Sequence, residues 1–146
     1  MKHELDQKLC KAFPRVFRNR HGSPMETAFA FGFECGDGWY DLLYKAASAI
    51  EREIINIKKE DPMVPDDELP CASQVKEKFG TLRFYMSFSN EAIDDIVTKA
   101  EEESEVTCEE CGKFGELRPG GWYVTLCDAC QAERLKPVAP LMQHED

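Results

Sequence analysis

The spacing of apolar residues predicts three helices. Residues 39–58 and 90–103 repeat apolar side chains every three or four positions, which is typical of helices that pack on a core. Residues 3–13 show the same spacing over a shorter length, and Pro14 is expected to end that helix. Asp37 precedes the longest helix and is expected to cap it. The core-facing side chains of that helix are Trp39, Leu42, Leu43, Ala46, Ile50, Ile54 and Ile57.

Alternating apolar residues predict strands in two further segments. Residues 73–87 predict a β-hairpin whose turn falls at Phe79–Gly80. Residues 27–34 predict a strand, and three phenylalanines would share its buried face, Phe29, Phe31 and Phe33. Helices and strands together predict an α+β fold, in which a small antiparallel sheet packs on two or three helices.

The chain of 146 residues is expected to divide into a core, a module and a tail. Its length suits one modest hydrophobic core, which we assign to an α+β core domain over residues 1–104. Residues 105–137 are expected to form a four-cysteine zinc module as an appendage. Residues 138–146 are expected to be a flexible tail, as chain ends often are.

Two CxxC pairs, separated by fifteen residues, have the spacing of a zinc site. Gly112 follows the first pair and suits the left-handed turn of a metal-binding knuckle. A single structural zinc ion is predicted, because four cysteines fill its tetrahedral shell. Short strands between the pairs and a helix from Asp128 indicate a treble-clef finger, with a zinc ribbon as the alternative. The predicted metal ligands are Cys108, Cys111, Cys127 and Cys130.

Other uses of the seven cysteines are less favoured. Two redox disulfides would need a surrounding βαβ pattern, which the sequence does not show. A catalytic zinc would need an open coordination position, and four cysteine ligands leave none. The remaining Cys10, Cys35 and Cys71 are expected to be small buried hydrophobic residues rather than nucleophiles.

Composition and charge favour an acidic cytoplasmic protein. The chain has 18 Lys and Arg against 28 Asp and Glu, a net charge of −10, and such proteins rarely bind nucleic acid through a general basic surface. It has no apolar run long enough to cross a bilayer, and its first residues do not read as a secretory signal. Reduced thiols are expected in the cytoplasm, where cysteines bind metals rather than form disulfides.

No motif in the chain predicts catalysis, so no catalytic or cofactor-binding residue is assigned. Its three histidines all lie outside residues 105–137, whereas treble-clef nucleases use a histidine beside the finger. It lacks a GxxxxGK[ST] phosphate loop, and Pro70–Cys71 does not continue as a deaminase zinc motif would. The Gly36-Asp37-Gly38 turn at a helix start can bind an anion. Asp37 would repel one, so a capped turn is the favoured interpretation.

Basic and aromatic side chains interleave on the predicted hairpin and suggest an interaction surface. The simpler and favoured interpretation is a half-buried sheet whose other face is charged. The acidic run from Glu101 to Glu110 similarly suits either a mimic of DNA phosphates or a solvated helix end. The candidate interaction residues are Lys76, Lys78, Arg83 and Tyr85 on the hairpin and Trp122 in the zinc module.

Three segments in this order resemble a family of small, largely uncharacterised proteins carried by phages and prophages. They are residues 34–39 (ECGDGW), residues 74–85 (QVKEKFGTLRFY) and the paired CxxC module. The resemblance covers roughly residues 28–131. It implies a protein that acts in the cytoplasm of a bacterial host, and it brings no catalytic assignment.

These features lead to one leading hypothesis and one alternative. The leading hypothesis is a non-enzymatic, zinc-stabilised interaction protein of phage or prophage origin that binds a host or phage protein and inhibits a defence or nucleic-acid enzyme. The alternative is a nucleic-acid-binding protein that uses the zinc module and the basic hairpin, residues 74–85. An enzyme would require a cluster of ionisable groups in a cleft, and the sequence offers no convincing one.

Overall fold

A three-stranded sheet packs with three helices, and a second, two-stranded sheet lies in the C-terminal module. A computed structural model describes residues 1–137. The helices among them are α1 (His3–Ala12), α2 (Tyr40–Glu60), α3 (Glu91–Ser104) and α4 (Asp128–Arg134). The strands are β1 (Phe33–Glu34), β2 (Ala72–Lys78), β3 (Thr81–Met86), β4 (Glu116–Arg118) and β5 (Val124–Leu126). The predicted flexible tail, residues 138–146, lies outside the described residues.

The α+β class is confirmed, but the first strand pair is parallel rather than antiparallel. The strand order is β1-β2-β3, and β2 and β3 form the predicted antiparallel hairpin. Strand β1 runs parallel to β2, with Phe33 opposite Val75. Two parallel strands that follow each other in the chain need a long crossover connection between them. Here the connection from β1 to β2 contains helix α2.

The predicted strand over residues 27–34 is wrong for most of its length. Thr27 Oγ1 accepts a hydrogen bond from the Phe29 amide (3.2 Å), and this local bond starts a 3-10 turn. Gly32 then has a φ of +79°, which a continuous strand does not allow. Only the last two residues form a strand, β1. Phe31 is consequently 65% exposed, instead of sharing a buried face with the neighbouring phenylalanines.

Helix α2 supplies the centre of the core, as its apolar spacing predicts. The expected cap is wrong, however: Asp37 Oδ1 accepts from the Lys2 amide (2.7 Å), because a 3-10 turn precedes the helix and turns this carboxylate toward α1. No helix among residues 1–137 has the length and the apolar run that a bilayer crossing requires. The buried apolar side chains at the entry to α2 and along it are Trp39, Leu42, Leu43, Ala46, Ala47, Ile50 and Ile54.

Helix α3 closes the outer edge of the sheet. Strand β3 is an edge strand, and its outward amides at Leu82 and Phe84 donate to Ser104 Oγ (2.9 Å) and to the Glu101 carboxylate (3.2 Å). These side chains satisfy backbone groups that an open edge would present to another chain. Part of the acidic run therefore has a structural role.

Candidate metal centre

The first pair of cysteines lies on a tight knuckle after α3. The Gly112 amide donates to the Cys108 carbonyl (2.9 Å), and the Cys108 amide donates to the Lys113 carbonyl (2.7 Å). Gly112 has a φ of +82°, which confirms the left-handed turn expected after this pair. Cys108 and Cys111 are thus held on one short loop.

The second pair lies where α4 begins, directly after the β4–β5 hairpin. Strands β4 and β5 are antiparallel, and Cys127 is the N-cap residue of α4. The Cys130 amide donates to the Cys127 sulfur at 3.4 Å. Knuckle, hairpin and helix therefore follow in the order of a treble-clef finger rather than of the alternative ribbon.

The four sulfur atoms converge as a tetrahedral metal site requires. All four lie within 4.8 Å of one another, and the sulfurs of Cys111 and Cys127 are 3.6 Å apart. Ligands at about 2.3 Å from one ion would be separated by about 3.8 Å, whereas a disulfide holds two sulfurs at about 2.05 Å. The cluster can therefore hold a metal ion. All seven cysteines belong to the described residues, and all are free thiols.

The start of α4 favours the charged form of one ligand. The backbone amide of Cys130 lowers the pKa of Cys127 to about 7 by donating to its sulfur. The hydrogen bond from the Cys130 thiol to Cys127 raises the pKa of Cys130. The backbone therefore favours the thiolate of Cys127, which is the form that binds a metal ion. A divalent cation would then favour deprotonation of the remaining ligands.

The cysteines outside the cluster are poor nucleophiles. Burial raises the pKa of both Cys10 and Cys35 to about 12, which keeps these thiols protonated at neutral pH. Cys71 is buried, and its sulfur accepts from the side-chain amide of Asn19 (3.3 Å). Since the thiolate is the reactive form, the structure gives no support to covalent catalysis by Cys10 or Cys35.

The knuckle packs closely against the segment that leads into α2. The Glu109 carbonyl accepts from the Gly38 amide (2.7 Å), and its carboxylate accepts from the Gly36 amide (2.9 Å). The Trp39 indole donates to the Thr107 carbonyl (2.9 Å). A Cβ on either glycine would collide with the knuckle backbone, so only glycine permits this approach. The turn amides considered for anion binding are thus occupied by Glu109.

The tip of the β2–β3 hairpin contacts the same module. Thr125 Oγ1 donates to the Gly80 carbonyl (2.7 Å), and the Glu109 amide donates to the Thr125 carbonyl (3.0 Å). Gly80 has a φ of +86°, and a Cβ there would also clash with a methyl group of Leu117. Residues 34–39, residues 74–85 and the paired CxxC module therefore meet at this place, which we call the junction.

The predicted interaction residues fall into two groups. Lys76, Lys78, Arg83 and Tyr85 share the outer face of the β2–β3 hairpin, with Lys76 directly opposite Arg83. Trp122 does not belong to this face. It lies in the turn between β4 and β5, beside the hairpin tip, and is 71% exposed.

The junction also brings together aromatic residues that were not among the predicted interaction residues. A groove of about 440 Å³ lies between the hairpin tip and the β4–β5 turn, and we call it the aromatic groove. Phe79 and Tyr123, which are 65% and 45% exposed, line it with Trp122. The sequence did contain one signal for this surface, namely Phe79 directly before the turn glycine. Tight hairpin turns favour Asn, Asp or Gly, so a large apolar side chain at that position is unusual. The remaining lining residues are Glu77, Lys78 and Gly121.

Comparison with protein-family models, with curated proteins and with solved structures gives no significant match for this chain.

Proposed function

We propose that this is a zinc-stabilised, non-enzymatic interaction protein that binds another protein through the aromatic groove. The observation that carries the proposal is the exposure of Phe79, Trp122 and Tyr123 around one groove, although they come from two separate parts of the chain. Exposed apolar clusters mark interaction sites, and aromatic residues contribute much of the binding energy of protein interfaces.

The metal is zinc, and its role is structural. Four cysteine sulfurs in a tetrahedral arrangement are the donor set that structural zinc sites use. They leave no position for a water molecule or a substrate, so the ion contributes folding free energy instead of chemistry. Through the hydrogen bonds at the junction, it also fixes the wall of the aromatic groove that carries Trp122.

Elemental analysis of protein purified without chelators should give about one zinc per chain. Cys108→Ser should reduce that value markedly, because three thiolates bind zinc more weakly than four. Cys10→Ser is the matched control and should leave the stoichiometry unchanged, since Cys10 lies outside the cluster. A value near zero in the unmodified chain would contradict the site.

The partner is a host or phage protein, met in the cytoplasm of a bacterial host. This part of the proposal rests on the resemblance to phage and prophage proteins, whose three characteristic segments build the junction. The net charge of −10 favours a protein partner over nucleic acid. Inhibition of a defence or nucleic-acid enzyme is the expected consequence of binding.

Affinity capture from a bacterial lysate tests the proposal, with Trp122→Ser and Phe114→Ser as a matched pair. Phe114 is 72% exposed and belongs to the same module but does not line the aromatic groove. A partner retained by the unmodified chain and by Phe114→Ser, but lost with Trp122→Ser, is the expected result. Equal capture by all three proteins would place binding elsewhere on the surface.

Nucleic-acid binding is the second candidate, and one observation favours it. Lys76, Lys78 and Arg83 lie on one open face of the hairpin, with Tyr85 available for base stacking. Binding of this kind would weaken by orders of magnitude between about 50 and 200 mM salt. No binding of single-stranded DNA or RNA at physiological salt would exclude it.

A further inference from the structure

Phe79 occupies a backbone conformation that its residue type disfavours. It has a φ of +54° and is followed by Gly80 at +86°, so both central residues of the hairpin turn are left-handed. Asn-Gly is the preferred pair in such a turn, and a residue with a bulky aromatic side chain is strained there. The ring is 65% exposed and thus adds little to the core. Local strain of this kind clusters at functional sites.

The opposite wall of the groove is held by hydrogen bonds. The Trp122 carbonyl accepts from the Arg134 guanidinium (3.1 Å), which ties the β4–β5 turn to α4. Thr125 ties β5 to the hairpin tip through Gly80. Both walls of the groove are thus hydrogen-bonded to the rest of the protein, and a groove that is already formed costs less entropy to occupy.

Trp122 also borders a second groove of about 430 Å³ on the cysteine module. Its floor includes Val124 and Leu126, and its rim carries Glu110 and Glu133. Cys130 borders it as well, so a four-thiolate metal centre would add net negative charge there. The complete lining is Glu110, Trp122, Val124, Leu126, Cys130, Glu133 and Arg134.

We infer that the two grooves beside Trp122 bind one extended, proline-containing peptide segment of the partner protein, with a basic residue over the acidic rim. This inference rests on the proposed function. Aromatic-lined grooves accept polyproline II segments, which are already extended and so lose little entropy on binding. Glu110 and Glu133 outnumber Arg134 in the second groove, and the Arg134 guanidinium already donates to the Trp122 carbonyl, so this end favours Lys or Arg in the peptide.

The same charges argue against nucleic acid as the occupant of these grooves. Residues 105–137 carry six acidic and four basic side chains, before the charge of the thiolates is counted. Lys78 Nζ already lies 5.5 Å from the Phe79 ring centroid, so this amine is engaged with the wall of the groove. A phosphate backbone crossing Trp122 would meet Glu110 and Glu133, whereas the cation of that groove, Arg134, already donates to the Trp122 carbonyl.

A random dodecapeptide display library, selected on the zinc-loaded full chain and on Trp122→Ser, tests the inference. Peptides retained only by the unmodified chain should be enriched in proline and in Lys or Arg. An enriched peptide should bind Phe79→Asn and Trp122→Ser at least about tenfold more weakly than the unmodified chain. Phe79→Asn should keep or raise the melting temperature, because Asn suits the turn. Phe114→Ser should change the affinity by less than about twofold.

Three results would overturn the inference: identical peptide sets from both proteins, enriched peptides without proline or basic residues, or displacement of the peptide by decathymidylate. The lysate experiment then separates the two proposals. If Trp122→Ser still loses a captured protein, the interaction function stands and the groove accepts a folded surface rather than an extended peptide. If neither experiment depends on Trp122, both proposals fail.

Discussion

Cys108→Ser is expected to leave residues 105–137 without stable structure while the α+β core stays folded. Zinc binding contributes roughly 10–16 kcal/mol in small finger peptides, and that free energy is their folding free energy. The module has a small apolar cluster of its own, built around Cys108, Leu126 and Cys127. Two of these three residues are themselves predicted ligands, so losing one ligand removes most of what orders the segment.

The core should lose stability in the same variant but remain cooperative. It would lose the hydrogen bonds that Gly36, Gly38 and Trp39 donate to the module. Each bond contributes about 0.5–1.5 kcal/mol, which suggests a total loss of roughly 1.5–4.5 kcal/mol for the three. The buried residues of α1, α2, α3 and the three-stranded sheet form a separate apolar cluster, and Cys108 is not part of it.

Hydrogen–deuterium exchange measured by mass spectrometry resolves the two regions. Peptides from residues 105–137 should lose protection in Cys108→Ser, while peptides from α2 and β2 keep theirs. Cys10→Ser should behave like the unmodified chain. Global loss of protection would mean that core and module fold as one unit, and that the predicted boundary after residue 104 is wrong. Unchanged protection would mean that the sulfurs do not order the module.

Features that depend on local sequence were predictable. The stripe of α2 and the hairpin of β2 and β3 follow from side-chain periodicity, because each has one face in the core. The metal cluster follows from CxxC spacing, because two intervening residues already place two sulfurs together. In both cases the pattern that makes the prediction lies within a short stretch of sequence.

Features that depend on distant contacts were not predictable. The sequence shows glycines at 36, 38 and 80, but not that the module approaches each of them across the fold. The parallel pairing of β1 depends on the long crossover that contains α2, and at Thr27 a local hydrogen bond prevails over the alternation of apolar residues. Trp122 was a candidate on its residue type alone, and its position beside Phe79 required the three-dimensional structure.

Trp39→Ala is expected to destabilise the chain by about 3–5 kcal/mol, the largest effect expected of any single core substitution considered for this protein. Trp39 is fully buried, and the substitution would leave a large cavity at the entry to α2. It would also remove the donor for the Thr107 carbonyl, a hydrogen bond that connects the core to the segment leading into the metal knuckle. The free energy of unfolding, from denaturant titration followed by far-ultraviolet circular dichroism, measures this loss.

Two further variants separate packing from the hydrogen bond to the module. Trp39→Phe keeps most of the apolar volume and removes the indole donor, so a loss of roughly 1–2 kcal/mol is expected, with faster exchange at the knuckle. Trp122→Ala changes the other tryptophan, which is exposed, and should alter the free energy of unfolding by less than about 0.5 kcal/mol. A loss of less than about 1 kcal/mol for Trp39→Ala would contradict the burial of Trp39 in the core. Equal losses for Trp39→Phe and Trp39→Ala would instead assign the main contribution to the bond with Thr107, because both variants lack the indole donor.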